Sequence, residues 1–454
     1  MRLDGRALLW AVGLGTTAVA PLLPHLYHGG TQKLEGAVLS GSSLLFSRAV
    51  LGLVLLLAAF LVLRPALRRL WPHSTAAPEL VVGGPAGRLA LAAALFTAAG
   101  IVSALLSTRG RTGLTDLIGP FLFATLYLTL HGSFPQVLRQ LRVILRCYLY
   151  GSLLAIVLMP YEWAFFAPVT AAGRDYLGTG WGQFTGLSAN PNALGPLAAA
   201  ALLLEVCSVA RRRSWPLHAG AAALVLLLTQ SRTAWIAALA VVFLHIDPRH
   251  TVRKAAVLTL CGAAAALGLL LPGVQATLAT LGSDPKFTEA GGRTLAWQLA
   301  WEEFLRAPLF GYGPNLFDTE HRRQLFGTAS SWIGQAHNQL LHTLGAAGLL
   351  GLTGLSVLFV VLIVHARRTA AATKGLSVAL TALLVVACTT ESPLRNLSGL
   401  SDRVLFLVVI WCALIAGART DSPGPGPRAT EPAGPALPRP LSPRLEPPCP
   451  AVSR

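Results

Sequence analysis

The chain has 454 residues, of which 54% are hydrophobic and only 12% charged. Soluble domains carry about 25% charged residues, so composition excludes an ordinary soluble enzyme and points to a membrane protein. The net charge is +17, but the basic residues form small clusters between apolar segments, a pattern of cytoplasmic loops rather than a nucleic-acid surface.

Apolar runs near the ~20 residues that a helix needs to cross a bilayer recur along the length. Twelve spans are expected, at 7–26, 45–67, 88–106, 115–132, 142–160, 191–209, 215–229, 231–246, 254–272, 337–364, 375–390 and 402–418. The first follows Arg2 and Arg6 and looks like a signal peptide, but the many later spans favour a retained helix. The seventh and eighth form one apolar stretch interrupted by Thr229-Gln230-Ser231-Arg232, which reads as a helical hairpin. Arginine placement sets the orientation. Arg64, Arg68, Arg69, Arg139, Arg142, Arg211 to Arg213, Arg249, Arg253, Lys254, Arg367, Arg368 and Lys374 fall in alternate loops, giving cytoplasmic N and C termini. Segments 161–190, 229–232 and 273–336 are then extracytoplasmic. The expected fold is all-α: one polytopic membrane domain over 1–418, with a long outer loop at 273–336 between spans 9 and 10. Residues 419–454, rich in Pro, Gly and Arg, read as a disordered cytoplasmic tail.

Within the long loop, Arg293–Arg306 has helical periodicity. Trp297, Trp301, Phe304 and Leu305 share one face, which suits a helix lying on the membrane surface or packed on the bundle. The six cysteines, at 147, 207, 261, 388, 412 and 449, lack metal-ligand spacing. There is no HExxH motif, no Walker loop and no paired carboxylates for a metal, so no metal or other cofactor is expected.

The groups able to do chemistry cluster on the outer side. His337 is the last polar group before span 10, and a neutral imidazole there can act as a general base near pH 7. Arg293 follows Gly291-Gly292 at a helix start, where an anion such as a diphosphate is favoured. Arg232 lies between two apolar spans, where a guanidinium needs a partner or a wet cavity. Asn190 with Pro191 is a helix start, and Asn192 beyond it is a candidate for a polar site. Glu391, at the end of span 11, is placed to orient His337 or an arginine, or to be a surface carboxylate. Arg174 and Asp175 are adjacent charged groups in segment 161–190. Gly311-Tyr312-Gly313-Pro314-Asn315 reads as a turn.

Five segments in order, SANPNALG, QSRTAW, GGRTLAW, PLFGYGPN and HNQLLHTLGAAGLLG, resemble the O-antigen ligase family, which includes O-antigen ligases, O-antigen polymerases and some protein O-oligosaccharyltransferases. The last segment fits that family's pattern of His, then Asn, Ser or Gln, with two later glycines, through His337, Asn338, Gly348 and Gly351. The resemblance implies a glycosyltransferase on the outer face of the cytoplasmic membrane. Its donor is a glycan on undecaprenyl diphosphate, its acceptor a glycan or lipid, and it uses neither ATP nor metal. By the same resemblance Arg232 and Arg293 bind the donor diphosphate, and His337 takes the acceptor proton in a single inverting displacement. Asn338, Glu391, Asn192 and Arg174 are candidates for support, and Arg174 and Asp175 for contact with the glycan. Ligase and polymerase stay open, and so does a chain-length regulator as partner. The competing expectation is a flippase or other transporter of lipid-linked oligosaccharide. Against it, no internal repeat is evident and the ionisable groups gather at one surface rather than mid-membrane.

Overall fold

A computed structural model of the chain describes residues 5–19, 84–107, 117–130, 132–158, 166–167, 182–188, 190–207, 213–245, 293–326, 334–395 and 401–418. All belong to one compact unit, Met1–Asp421. The expected spans 45–67 and 254–272, the tail 419–454, Gly291, Gly292 and Arg174 lie outside the described residues.

The described chain is mostly helical. Its helices are α1 (Gly5–Val19), α2 (Pro85–Leu106), α3 (Ile118–Thr129), α4 (Phe134–Leu158), α5 (Pro191–Val206), α6 (Trp215–Leu228) and α7 (Arg232–His245), then α8 (Arg293–Arg306), α9 (Thr319–Phe326), α10 (Gln339–Thr369), α11 (Leu376–Thr390) and α12 (Asp402–Ala418). The strands β1 (Phe166–Ala167) and β2 (Gln183–Phe184) pair antiparallel over two residues each. Among the described residues, α2 and α10 are long and apolar enough to cross a membrane, and the other apolar helices are shorter.

Helix α12 forms the centre. Its run Val404–Ala418 is apolar all round and buried throughout, as expected of a helix surrounded by others. It touches α1, α2, α3, α4, α5, α10 and α11. Asp402 at its start would be costly to bury alone. It accepts from the Tyr148 and Ser188 hydroxyls, the latter at 2.8 Å, which ties α12 to α4 and to the segment before α5.

The hairpin expected between spans 7 and 8 is present. Its turn, Thr229–Ser231, is buried rather than lying open at a surface. Gln230 adopts a left-handed φ of 51°. Its side-chain amide donates to the Gly182 carbonyl at 3.0 Å, and Gln183 donates back to the Gln230 carbonyl at 3.4 Å. The β2 segment thus covers the turn and satisfies its polar groups, as buried backbone requires. Below the turn, α5 and α7 meet closely at Gly195, where a β-carbon would come within 2.8 Å of the Ser231 side chain.

Helix α10 is broken at Gly348, where φ is 60° and ψ −157°. In an unbroken helix Leu349 and Leu350 would donate to Gly345 and Ala346. Here Leu349 donates to the Pro308 carbonyl at 2.8 Å and Leu350 to Leu309 at 3.2 Å, while Gly345 and Ala346 accept from Tyr312 at 2.8 Å and Gly313 at 2.9 Å. Segment 308–313 therefore replaces two helical bonds with four of its own. Ser103 of α2 satisfies the Ala347 carbonyl at 2.8 Å. The approach demands glycine on both sides. A β-carbon on Gly348 would lie 2.6 Å from Leu309 backbone, and one on Gly311 2.6 Å from Ala346 backbone. The turn expected at 311–315 is thus a dock against α10.

Candidate functional site

Helix α8 begins at Arg293 and ends at Arg306, as its periodicity indicates. Its inward face is Ala296, Leu299, Ala300 and Glu303. The aromatic face is not the buried one: Trp301 and Leu305 are 48% and 60% exposed. Small residues face inward because α8 lies close against α10, where a β-carbon on Gly345 would come within 2.7 Å of the Ala300 carbonyl. Trp297 reaches round to donate to the Ala336 carbonyl at 2.8 Å. That bond and the dock at Gly348 fix α8 against the start of α10 at two points.

The start of α10 is built by its own side chains. Asn338 is the N-cap. Its side-chain oxygen accepts from the Leu341 amide at 3.1 Å, and its nitrogen donates to the Thr389 carbonyl at 3.3 Å. Gln339 spans the same gap, accepting from the Leu394 amide at 2.8 Å. Together they hold the end of α11 beside His337. The residue just outside the cap, His337, has a φ of 49°. That region costs a non-glycine residue energy, and such strain concentrates at functional sites.

Around His337 the polar groups converge. Its Nδ1 lies 3.0 Å from Glu391 Oε2. Arg293 Nη2 lies 3.8 Å from Glu391 Oε1, an oxygen that is buried and makes no hydrogen bond. Gln335 closes the third side. Its oxygen accepts from the Ser392 amide at 3.2 Å, which leaves its nitrogen to donate to Glu391 Oε2. Glu391 Oε2 therefore serves as acceptor toward both neighbours. Gln335 Nε2 also lies 3.3 Å from His337 Nδ1, so Nδ1 is turned to Glu391 and Gln335 and Nε2 is the imidazole nitrogen on the far side of the ring.

Further cations stand near this group. Arg395 follows on the turn after α11 and donates through Nη1 to the Gly334 carbonyl. Burial, reinforced by Arg403 and Arg322 and opposed by Glu391, pulls its pKa down to about 9. Arg403, in the first turn of α12, has Glu391 and Asp402 as its acidic neighbours. Sequence reasoning passed over Gln335, Arg395 and Arg403. Nothing local marks them, and only the meeting of loops 334–338, 391–395 and the start of α12 brings them together.

Of the residues expected from sequence, His337, Asn338, Glu391 and Arg293 are brought into one group. Asn192 lies in the first turn of α5, two residues after its N-cap Asn190, which accepts from the Ala193 amide at 2.9 Å. Asn192 Oδ1 accepts from the Ser231 hydroxyl at 3.4 Å. Arg232 follows directly at the start of α7 and is exposed. The end of the bundle holding Asn192 and Ser231 also holds Ser188, whose hydroxyl meets Asp402 next to Arg403. Among the described residues, no group of three or more His, Cys, Asp or Glu side chains is placed to hold a metal ion.

Residues 218–356 match the family model described as O-antigen ligase. The matched stretch runs from α6 through the break in α10 and includes Arg232, Arg293 and His337. No curated protein matches the chain.

Proposed function

We propose, from a match that supports assignment of this chain to the O-antigen ligase family, that it moves a glycan from an undecaprenyl-diphosphate carrier to an acceptor hydroxyl, as a membrane-embedded ligase or polymerase. The observation that carries the reading is the contact of His337 with Glu391 and of Glu391 with Arg293. It joins a base, an orienting carboxylate and a guanidinium in one group.

The chemistry follows from those positions. His337 Nε2 takes the proton of the acceptor hydroxyl as the oxygen attacks the anomeric carbon. The bond from that carbon to the diphosphate oxygen breaks, and its electron pair leaves with the diphosphate. Glu391 steadies the imidazolium that forms, as a carboxylate behind a histidine base does. Arg293 and Arg232 bind the diphosphate, where charge develops on the leaving oxygen and fixed cations count most. Asn338 holds the turn that presents His337. One displacement inverts the sugar carbon. Proton removal and leaving-group stabilisation both come from side chains, so the step as drawn draws on no metal and no nucleotide.

In this reading the site faces the extracytoplasmic side of the cytoplasmic membrane, both termini face the cytoplasm, and the twelve-span topology holds. The site's position at one end of the bundle supports transfer chemistry over transport, since a transporter needs its polar groups at mid-depth. The experiment uses purified full-length protein, an undecaprenyl-diphosphate oligosaccharide and candidate glycan or lipid acceptors, without nucleotide or divalent metal. Glycan transfer with release of undecaprenyl diphosphate, lost in His337→Ala, is the expected result. Movement of the intact lipid-linked glycan across vesicles with no transfer to any acceptor would sink the reading.

A further inference from the structure

A second concentration of charge sits at the opposite end of the bundle from His337. Helix α5 links the two ends. Asn192 lies in its first turn and Glu205 follows thirteen residues later, about 20 Å away at 1.5 Å per residue. Glu205 is buried, and a carboxylate at that depth is costly unless it is paired. Arg146 of α4 pairs with it through Nε at 2.7 Å and Nη2 at 2.8 Å, so both carboxylate oxygens are engaged. His218 of α6 stands beside them, its Nδ1 2.8 Å from the Tyr150 hydroxyl and its ring edge-on to the tyrosine.

Arg142 lines the same small space as this pair, and its charged neighbours are Glu205, Arg146 and Arg139. Two turns of α4 thus carry three positive charges against one negative charge, and Arg146 grips that one. Like charges at this helical spacing repel. Arg213, exposed just before α6, belongs to the same end. An anion from outside the chain would offset the excess, and a phosphate suits it because its oxygens match the guanidinium fork.

The surface leading away from these arginines is apolar. Val143, Cys147, Tyr150 and Leu154 follow Arg139 at i+4, i+8, i+11 and i+15, one stripe along α4, and all four are exposed. From Val143 to Leu154 the stripe rises about 16 Å, half of the ~30 Å hydrocarbon core of a bilayer and so the depth of one leaflet. On α6, Leu217 and Leu224 are exposed as well. A soluble anion would use the arginines and leave the stripe uncovered. A neutral lipid would cover the stripe and leave the charge. Both are met by a lipid with an anionic phosphate headgroup.

We propose that Arg139 and Arg142 form a binding site for an anionic glycerophospholipid, its phosphate against these guanidinium groups and its acyl chains along the Val143–Leu154 face. The Arg146–Glu205 pair is the floor of the site. By engaging Glu205 it keeps that carboxylate from competing with the phosphate. The proposal rests on the reading of the chain as membrane-embedded and is independent of glycan transfer.

Native mass spectrometry of the full-length protein tests this with three probes: phosphatidylglycerol, phosphatidylcholine with the same acyl chains, and glycerol 3-phosphate, which has the phosphate without the chains. Wild type is expected to hold phosphatidylglycerol at least about ten-fold more tightly than phosphatidylcholine, the worth of two arginines beside an anionic headgroup. Arg139→Gln with Arg142→Gln should bring the two lipids within about two-fold of each other. Arg139→Lys with Arg142→Lys should keep part of the preference, since the charge stays and the fork goes. Arg367→Gln with Arg368→Gln, in the last turn of α10, removes the same charge elsewhere and should leave the preference unchanged. Arg139→Gln alone, at an exposed position where substitutions are tolerated, should lower it by about three- to five-fold and serves if the double variant does not fold. Equal binding of the two lipids by wild type, or undiminished preference in the Arg139 and Arg142 glutamine variants, would overturn the site and leave these arginines in water. An equal fall in Arg367→Gln with Arg368→Gln would reduce the effect to general surface charge and overturn it too. Glycerol 3-phosphate bound as tightly as phosphatidylglycerol would overturn the role of the apolar stripe. Lipid preference as expected with no glycan transfer by wild type defeats the glycosyltransferase reading alone.

Discussion

Two arginine–glutamate contacts in this bundle look alike by composition and differ in what they leave free. On α4 and α5, Arg146 grips Glu205 with two bonds of 2.7 and 2.8 Å. The pair is saturated, and the space beside it holds only about 10 Å³. The other contact, between the start of α8 and the end of α11, is open. Arg293 stands 3.8 Å from Glu391, whose Oε1 makes no hydrogen bond, while Oε2 is shared with His337 and Gln335. A bidentate pair uses up its fork and its oxygens on each other. A loose pair with a base on its far side keeps donors in hand for something that comes and goes. The lesson is that an ion pair marks a site by its unspent hydrogen bonds and not by its presence.

The comparison can be broken first at His337. His337→Ala should cost about 100-fold or more in glycan transfer, the range for losing a general base, with no change in the melting temperature beyond about 2 °C. A residual rate near wild type would show that the open pair serves no chemistry. Arg293→Lys should lower transfer by about 10- to 100-fold, because a point charge does not reproduce the planar fork. Unchanged turnover would remove Arg293 from the diphosphate site. A smaller loss, about ten-fold, is expected for Glu391→Gln, which keeps the shape but not the charge that steadies the imidazolium. The closed pair should respond the other way. Glu205→Ala leaves a guanidinium without its partner and should destabilise the fold by about 3 kcal/mol, read as a lower melting temperature, while turnover of the folded fraction stays within about two-fold. If Glu205→Ala lowers turnover of folded protein as far as Glu391→Gln does, the distinction between the two pairs fails.

What the sequence made legible was local. The hairpin at 229–232, the bounds of α8, the cap at Asn190 and the starts of α5 and α12 depend on nearby residues, and periodicity or capping chemistry reveals them. His337, Asn338, Arg293 and Glu391 were legible as polar groups stranded near apolar runs. For α8 the sequence left its aromatic face open between the membrane surface and the bundle, and the structure turns the small residues to the bundle. In water the aromatic face of a helix is the one to bury, but beside lipid both protein and solvent accept apolar groups, and closeness of approach selects small residues instead. Hence Ala296 and Ala300 face α10 and Trp301 does not. Gln335 and Arg395 were illegible for another reason. Their partners, Ser392 and Gly334, are 57 and 61 positions away, and no local pattern reports a contact at that separation. The break in α10 lay between, since Gly348 was visible but the segment that fills it was not.

That break has a bearing on which parts of the chain can change length. Segment 308–313 is laced to α10 by four main-chain bonds at a spot where neither side has room for a β-carbon. Between Arg306 and Gly311, adding or removing one residue would slide the lacing out of register and carry Arg293 away from Glu391. Beyond Gly313 the chain stays fastened, by Phe317 stacked on His342 and by His321 stacked on Tyr312 and facing Glu303, so the stretch up to His321 is where insertions should be excluded among descendants of this protein. The segment from Arg293 to His321 thus has a fixed gauge that sets the distance from Arg293 to His337 and leaves changes of length to the chain outside it.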